Sequence, residues 1–346
     1  MKMRYVTSLA LAGGTLLAAC GGSANVSSAS PSSSSQAGST TTAAPSTTTV
    51  SYGMVGLFGS ALPQIVGIHE GFFAKSHLKV NLVVVGQSQP ICQQLIGGAL
   101  DFGNCSETDT IQAIEKGGPL TEIDNEYSTS LPYDLVVGKG ITSWAQLKGK
   151  TVMLGGPRDN TVYYFSLMAK AAGLSLSDFN YTYAGASSAR FAALESGAVA
   201  GTLLTIPFNL TAESKGLLKL STSTGLLTPQ NYAGGGTVVN TSYASSHPQV
   251  IKDYLTAYKE SMQWLYDPAN EAQALQLMEK YTHASAASAQ DTYKYLVQAK
   301  YWEPTGTIVP SAIQGAEQSL YSLGFLKGTP PPAAKFYTNK YLGATS

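Results

Sequence analysis

Hydrophobic and polar positions divide this chain into three unequal stretches. Residues 5–19 are uncharged and mostly apolar, behind Lys2 and Arg4. Residues 21–49 are almost all Ser, Thr, Ala, Gly and Pro, with Val26 the one large aliphatic side chain. From Val50 onward, apolar residues recur with the periods of regular structure. VSYGMVGL (50–57) and KVNLVVV (79–85) read as strands, and 62–73 reads as a helix with Gly71 near its end. The pattern continues with a helix at 90–96, a short strand at 101–104 and a helix at 107–116 stopped by Gly117-Gly118-Pro119. Residues 121–127 and 133–137 read as extended. Strands at 151–154, 181–184 and 199–204 then alternate with helices at 160–172, 190–196 and 208–215. Beyond Pro248 helices dominate, at 249–266, 270–281, 286–300 and 311–323. Strands alternating with helices predict α/β architecture with mostly parallel sheets flanked by helices.

The first stretch has the basic-then-apolar profile of a secretory signal and is short for a membrane span. Its end, Leu17-Ala18-Ala19-Cys20, resembles the lipobox of bacterial lipoproteins. That resemblance implies cleavage after residue 19, a lipid on Cys20 and anchoring at the outer face of the cell membrane. Residues 20–49 would then be a tether, since they hold too little apolar surface to offset the entropy of ordering. More than one acyl chain is needed for stable attachment, which the lipoprotein modification would supply.

The remaining chain is long enough for two domains. Lys plus Arg and Asp plus Glu each count 21, so the formal charge is zero, and no basic field for nucleic acid is present. Charged residues make up 12%, about half the usual share of about 25%. Twenty tyrosines offer apolar faces with polar tips, suited to cores and to wet recognition surfaces. With Cys20 assigned to lipid, Cys92 and Cys105 remain, either as a disulfide or as two separate buried thiols.

Four segments, LPQIVGIHEGFFAKSHLKVNLVVVG, LIGGALDFGNCSETDTIQAIEKGGPL, ITSWAQLKGKTVMLGG and ARFAALESGAVAGTLLTIP, resemble the substrate-binding proteins of ABC importers for nitrate, sulfonates, taurine and thiamine precursors. The resemblance implies a type II periplasmic-binding-protein fold: two α/β lobes joined by two crossovers and closing over a small molecule. Mapped here, lobe one would take residues 50–138 and return at 239–346 with the C-terminal helices, and lobe two would take 139–238. The crossovers would lie near LVVGKG and GTVVN, with glycines 138, 140 and 234–236 available to absorb the dihedral changes. The implied partners are a small-molecule ligand and an ABC permease with its ATPase. We expect a monomer that needs no cofactor and no metal.

Ligands of open parallel sheets bind beyond the carboxyl ends of the strands, where helix N-termini present free N–H groups. That rule selects Phe58, Ser60, Ala61, Gln87, Ser106, Glu107, Thr108 and Tyr127 in lobe one. In lobe two it selects Arg158, Asn160, Thr161, Tyr163, Ser187, Pro207 and Phe208. GGPRDNT pairs an arginine with a helix start, suited to an anionic or carbonyl oxygen or equally to a capped helix with a solvated arginine. Ser106 to Asp109 reads as a capping-box-like start, in which Glu107 either favours the helix dipole or accepts a hydrogen bond from a ligand nitrogen. Phe58, Tyr127, Tyr163 and Phe208 would sandwich a flat ring. Enzyme readings find little support. His69-Glu70 begins an HExxH motif whose second histidine position holds Phe73, and GASSA (185–189) ends in alanine where a nucleophile elbow needs glycine.

Overall fold

The computed structural model describes residues 46–127, 133–223 and 235–343. The signal segment, Cys20, most of the tether, Ser128 and Gly234 lie outside the described residues. Among the described residues, ten strands form two five-stranded sheets. The first holds β1 (Thr48–Met54), β2 (Leu78–Val84), β3 (Phe102–Cys105), β4 (Leu120–Glu122) and β10 (Gly236–Asn240), in the order β2-β1-β3-β10-β4. The second holds β5 (Asp134–Val137), β6 (Thr151–Leu154), β7 (Asn180–Tyr183), β8 (Gly201–Leu204) and β9 (Leu218–Thr222), in the order β7-β6-β8-β5-β9.

Each sheet is mixed in the same way. β1 runs parallel to β2 and β3, while β10 pairs antiparallel with both β3 and β4. In the second sheet β6 runs parallel to β7 and β8, while β5 pairs antiparallel with β8 and β9. Four strands per sheet therefore share one direction, and the fifth is the strand that arrives from the other lobe. This corrects the expected boundaries. Residues 134–137 belong to the second lobe, and GTVVN is a strand of the first rather than a crossover. The chain passes between lobes after β4 and again after β9. Gly138 and Gly140 follow β5 inside lobe two, so they do not join the lobes. An apolar run announces a strand, but nothing in its pattern tells which sheet will pair with it.

The helices are α1 (Leu62–His69), α2 (Phe72–Lys75), α3 (Ser88–Ile96), α4 (Glu107–Glu115), α5 (Trp144–Leu147), α6 (Asn160–Ala171), α7 (Ser187–Glu195), α8 (Phe208–Ser214), α9 (Thr241–Ser246), α10 (Pro248–Tyr266), α11 (Glu271–Thr282), α12 (Ala286–Gln298) and α13 (Pro310–Ser322). The helix expected over 62–73 is split because Gly71 adopts φ +77°, a left-handed conformation that ends α1 and starts α2.

Helix α10 shows how the pattern becomes packing. Ile251, Tyr254, Leu255, Tyr258, Met262 and Leu265 recur at helical spacing and are all buried. Tyr254 stacks on Tyr52, Phe73 and Phe102, with ring centroids 5.8, 5.3 and 4.5 Å apart, joining α10 to β1, α2 and β3. Each such side chain contributes about 1.5–3 kcal/mol by leaving water. Part of the tyrosine excess is thereby a core feature, and α10 is packed onto the first sheet through it.

Candidate functional site

A cavity of about 150 Å³ lies between the lobes, beyond the carboxyl ends of the strands. Lobe one supplies Val55, Phe58 and Ser60 after β1, Gln87 and Ser88 after β2, and Asn104, Cys105 and Ser106 at the end of β3. Lobe two supplies Asp159, Asn160 and Thr161 after β6, Gly185, Ser187 and Arg190 after β7, and Thr205 and Ile206 after β8. Tyr127, Tyr133 and Tyr301 complete the wall. Six strand ends thus converge on one space, as the topology requires.

Helix starts fix the polar positions. Asp159 caps α6 by accepting from the N–H groups of Thr161 and Val162, and Thr161 Oγ1 both donates to Asp159 and accepts from Gly155 N. Ser106 caps α4, and its N–H donates to Ser88 Oγ at 2.8 Å, locking two cleft loops together. Asn104 Nδ2 donates to Glu126 at 2.7 Å and to Tyr127 Oη at 3.0 Å. Glu126 is fully buried and also accepts from Tyr52, Gln64 and Thr237. Burial holds its carboxyl above the usual range, and these hydrogen bonds draw it partly back.

The charged side chains on the wall are Arg190 and Asp159. Arg190 is 2% exposed and donates to the carbonyls of Leu203, Ala184 and Gly185 and to Ser187 Oγ. Among the described residues four of its five N–H positions are used in this way, leaving one on Nη2. The guanidinium therefore shapes the 184–187 loop while keeping one donor beside the cavity. The two lobes also touch around the cavity. Phe58 meets Phe208 edge-on with centroids 6.3 Å apart, and Gln112 Nε2 donates to Arg158 O at 3.2 Å.

Residues 60–272 match the profile described as NMT1/THI5 like, well over half of the chain. The chain belongs to the NMT1/THI5-like family. No curated protein matches it at the same standard. Among solved structures it is similar to the alkanesulfonate-binding protein SsuA from Xanthomonas axonopodis pv. citri bound to MOPS, with TM-score 0.70 and 16% identity over 85% of this chain and 100% of that one. It is also similar to the periplasmic nitrate-binding protein NrtA from Synechocystis PCC 6803, with TM-score 0.70 and 15% identity over 86% and 88%. A Candida albicans gene product with the generic periplasmic binding protein fold aligns with TM-score 0.69 and 14% identity over 86% and 97%. These likenesses establish the two-lobe fold.

In this NMT1/THI5-like protein the cavity wall holds Phe58, Ser60, Gln87, Ser106, Tyr127, Asn160, Thr161 and Ser187. Seven other expected residues lie elsewhere. Arg158 sits on an exposed turn and its Nη2 donates to Phe325 O, away from the cavity. Glu107, the first residue of α4, turns inward toward Glu122 of β4, and both carboxyls are buried. Ala61 packs in the lobe-one core, Thr108 is buried within α4, and Tyr163 packs against Tyr164 and Phe325. Pro207 and Phe208 line a neighbouring crevice of about 260 Å³ with Met278 and His283, on the far side of the Phe58–Phe208 contact. Cys92 and Cys105 are both buried, and Cys105 also lines the cavity.

Sequence reasoning passed over Arg190, Asn104, Tyr133 and Tyr301 as wall residues. A signal for Arg190 existed: helical side chains lean toward the N-terminus, so the residue three after Ser187 reaches back to the same rim. Tyr301 arrives from beyond α12, and no local pattern announces it. Among the described residues, no group of three or more His, Cys, Asp or Glu side chains is placed to hold a metal ion.

Proposed function

We propose that this protein captures a small organic molecule outside the cytoplasm and delivers it to an ABC permease and its ATPase. One observation carries the reading: side chains from both lobes meet on a single cavity, so a ligand there bridges the lobes and favours the closed state by its extra contacts. The space of about 150 Å³ is that of a cavity known to admit one benzene ring. Phe58, Tyr127, Tyr133 and Tyr301 offer ring faces, and the other wall residues are mostly neutral hydrogen-bonding groups. The one positive side chain is balanced by Asp159 and largely committed to carbonyls. This supports a neutral or zwitterionic heteroaromatic solute, of the thiamine-precursor kind, over a bare inorganic anion. A sulfonate remains the second reading, supported by the free N–H of Arg190 and by the likeness to a protein bound to MOPS. The lipid on Cys20 would keep the protein near its permease, and the capture step needs no cofactor.

Calorimetric titration with pyrimidine-like heterocycles and small sulfonates tests the proposal. Binding of one class, weakened by Asn104→Leu at the cavity wall, is the expected result. No binding by either class, with the wild type folded, would remove it.

A further inference from the structure

We propose that Cys92 and Cys105 form a disulfide that braces the lobe-one rim of the cavity. The geometry follows from Gly103. A side chain there would collide with Ile91 and Leu95, its Cβ lying 2.5 and 3.3 Å from them, so glycine lets α3 settle directly onto β3. Alternate strand residues share a face, so Cys105, two residues on, points to the same side of the sheet as Gly103. Cys92 follows Ile91 on α3. The two thiols meet there, 2% and 1% exposed, within one apolar cluster. Apart from Cys20 they are the only cysteines in the chain, and Cys105 lines the cavity.

The chemistry is thiol–disulfide exchange with a disulfide oxidant, either an oxidised dithiol oxidoreductase or glutathione disulfide. The thiolate of one cysteine attacks the oxidant's disulfide and releases one of its sulfurs as a thiol. The thiolate of the other then attacks the mixed disulfide and releases the second. Two electrons and two protons pass to the oxidant, and one S–S bond forms in the protein. Burial pushes the Cys105 thiol up, which suppresses thiolate once the lobe has packed. Exchange therefore accompanies folding, and the finished bond is shielded from reductants. The bond closes a loop of 14 residues between the middle of α3 and the end of β3. It ties together the segments that carry Gln87, Ser88, Asn104 and Ser106, already linked by the Ser88–Ser106 hydrogen bonds.

The test uses the full chain, refolded in a reduced/oxidised glutathione buffer, unfolded in guanidinium with iodoacetamide, and weighed before and after reduction with a second alkylation. Cys20 serves as an internal control. One alkylated cysteine before reduction and three after, with a Cys92–Cys105 linked peptide, is the expected result. Three alkylated cysteines before reduction, or a bridge from either residue to Cys20, would overturn the proposal. The oxidised protein should melt roughly 5 °C above the Cys92→Ser/Cys105→Ser variant. Equal melting temperatures would overturn the bracing role. Because glutathione supplies the oxidant, the outcome is independent of the export and ligand readings.

Discussion

Replacing Glu107 by glutamine should stabilise the protein at pH 8 and leave it nearly unchanged at pH 4.5. Glu107 begins α4 and is 2% exposed; Glu122 of β4, against it, is 1% exposed. None of their four carboxyl oxygens accepts a hydrogen bond from an N–H group or hydroxyl among the described residues. Asp124 and Glu126, both buried, add negative charge on the side of Glu122. Burial pushes the Glu107 carboxyl up from its ordinary 4.5 to about 7, even with Glu122 as a hydrogen-bond partner and the positive end of α4 beside it. A proton held between the two carboxyls satisfies this arrangement.

The sign follows from linkage. The folded state holds a proton that the unfolded state has released, so stability is full below pH 4.5 and falls as pH rises toward 7. At about 1.4 kcal/mol per pH unit, the rise from 4.5 to about 7 corresponds to about 3 kcal/mol. Glutamine has nearly the same shape, cannot ionise and donates to Glu122 through its amide. It should recover up to that amount at pH 8, or about 6 °C at roughly 2 °C per kcal/mol. Asp109, pushed up to about 7 chiefly by burial, tilts the wild type in the same direction. Thermal melts followed by circular dichroism from pH 4 to pH 9 provide the check. A wild type that is equally stable at pH 5 and pH 8, or a Glu107→Gln protein with an unchanged pH profile, would refute this reasoning.

Three further substitutions separate the structural account from the expectations it replaced. Arg158→Ala should change ligand affinity by less than about twofold in calorimetry, because its side chain is exposed and outside the cavity. Arg190→Ala should abolish binding and destabilise by at least about 3 kcal/mol in urea unfolding, since three carbonyls lose a buried charged donor. At Gly185 even a Cβ atom would lie 2.3 Å from Gln87 Cγ in the opposite lobe, so Gly185→Leu should prop the cleft open. Affinity should fall at least about tenfold. X-ray scattering should show a larger radius for Gly185→Leu in the presence of ligand, with little change in melting temperature.

Much of the fold was legible because long strands and helices carry their own periodicity. Residues 151–154 form the expected strand, and α10 begins one residue before the expected helix. The half-exposed β9 has no apolar run to announce it, and β5 and β10 were misplaced because pairing is decided by the distant strands they meet. At the site, the strand-end rule found the correct loops but not the directions of side chains within them. Glu107 and Ser106 are neighbours, yet one turns into the core and the other caps a helix at the cavity. Arg158 looked attractive because it precedes a helix; Arg190 does more because helical geometry returns it to the rim. Tyr301 depends on a return of the chain that no local window contains.

Native mass spectrometry of the protein purified from its native cells tests the central claim, that a small molecule is held between the lobes. The account predicts one bound organic molecule per chain, of single-ring size, lost in the Gly185→Leu variant and released on unfolding. A wild type that is empty and that also shows no thermal shift with the heterocycle and sulfonate panel would contradict it.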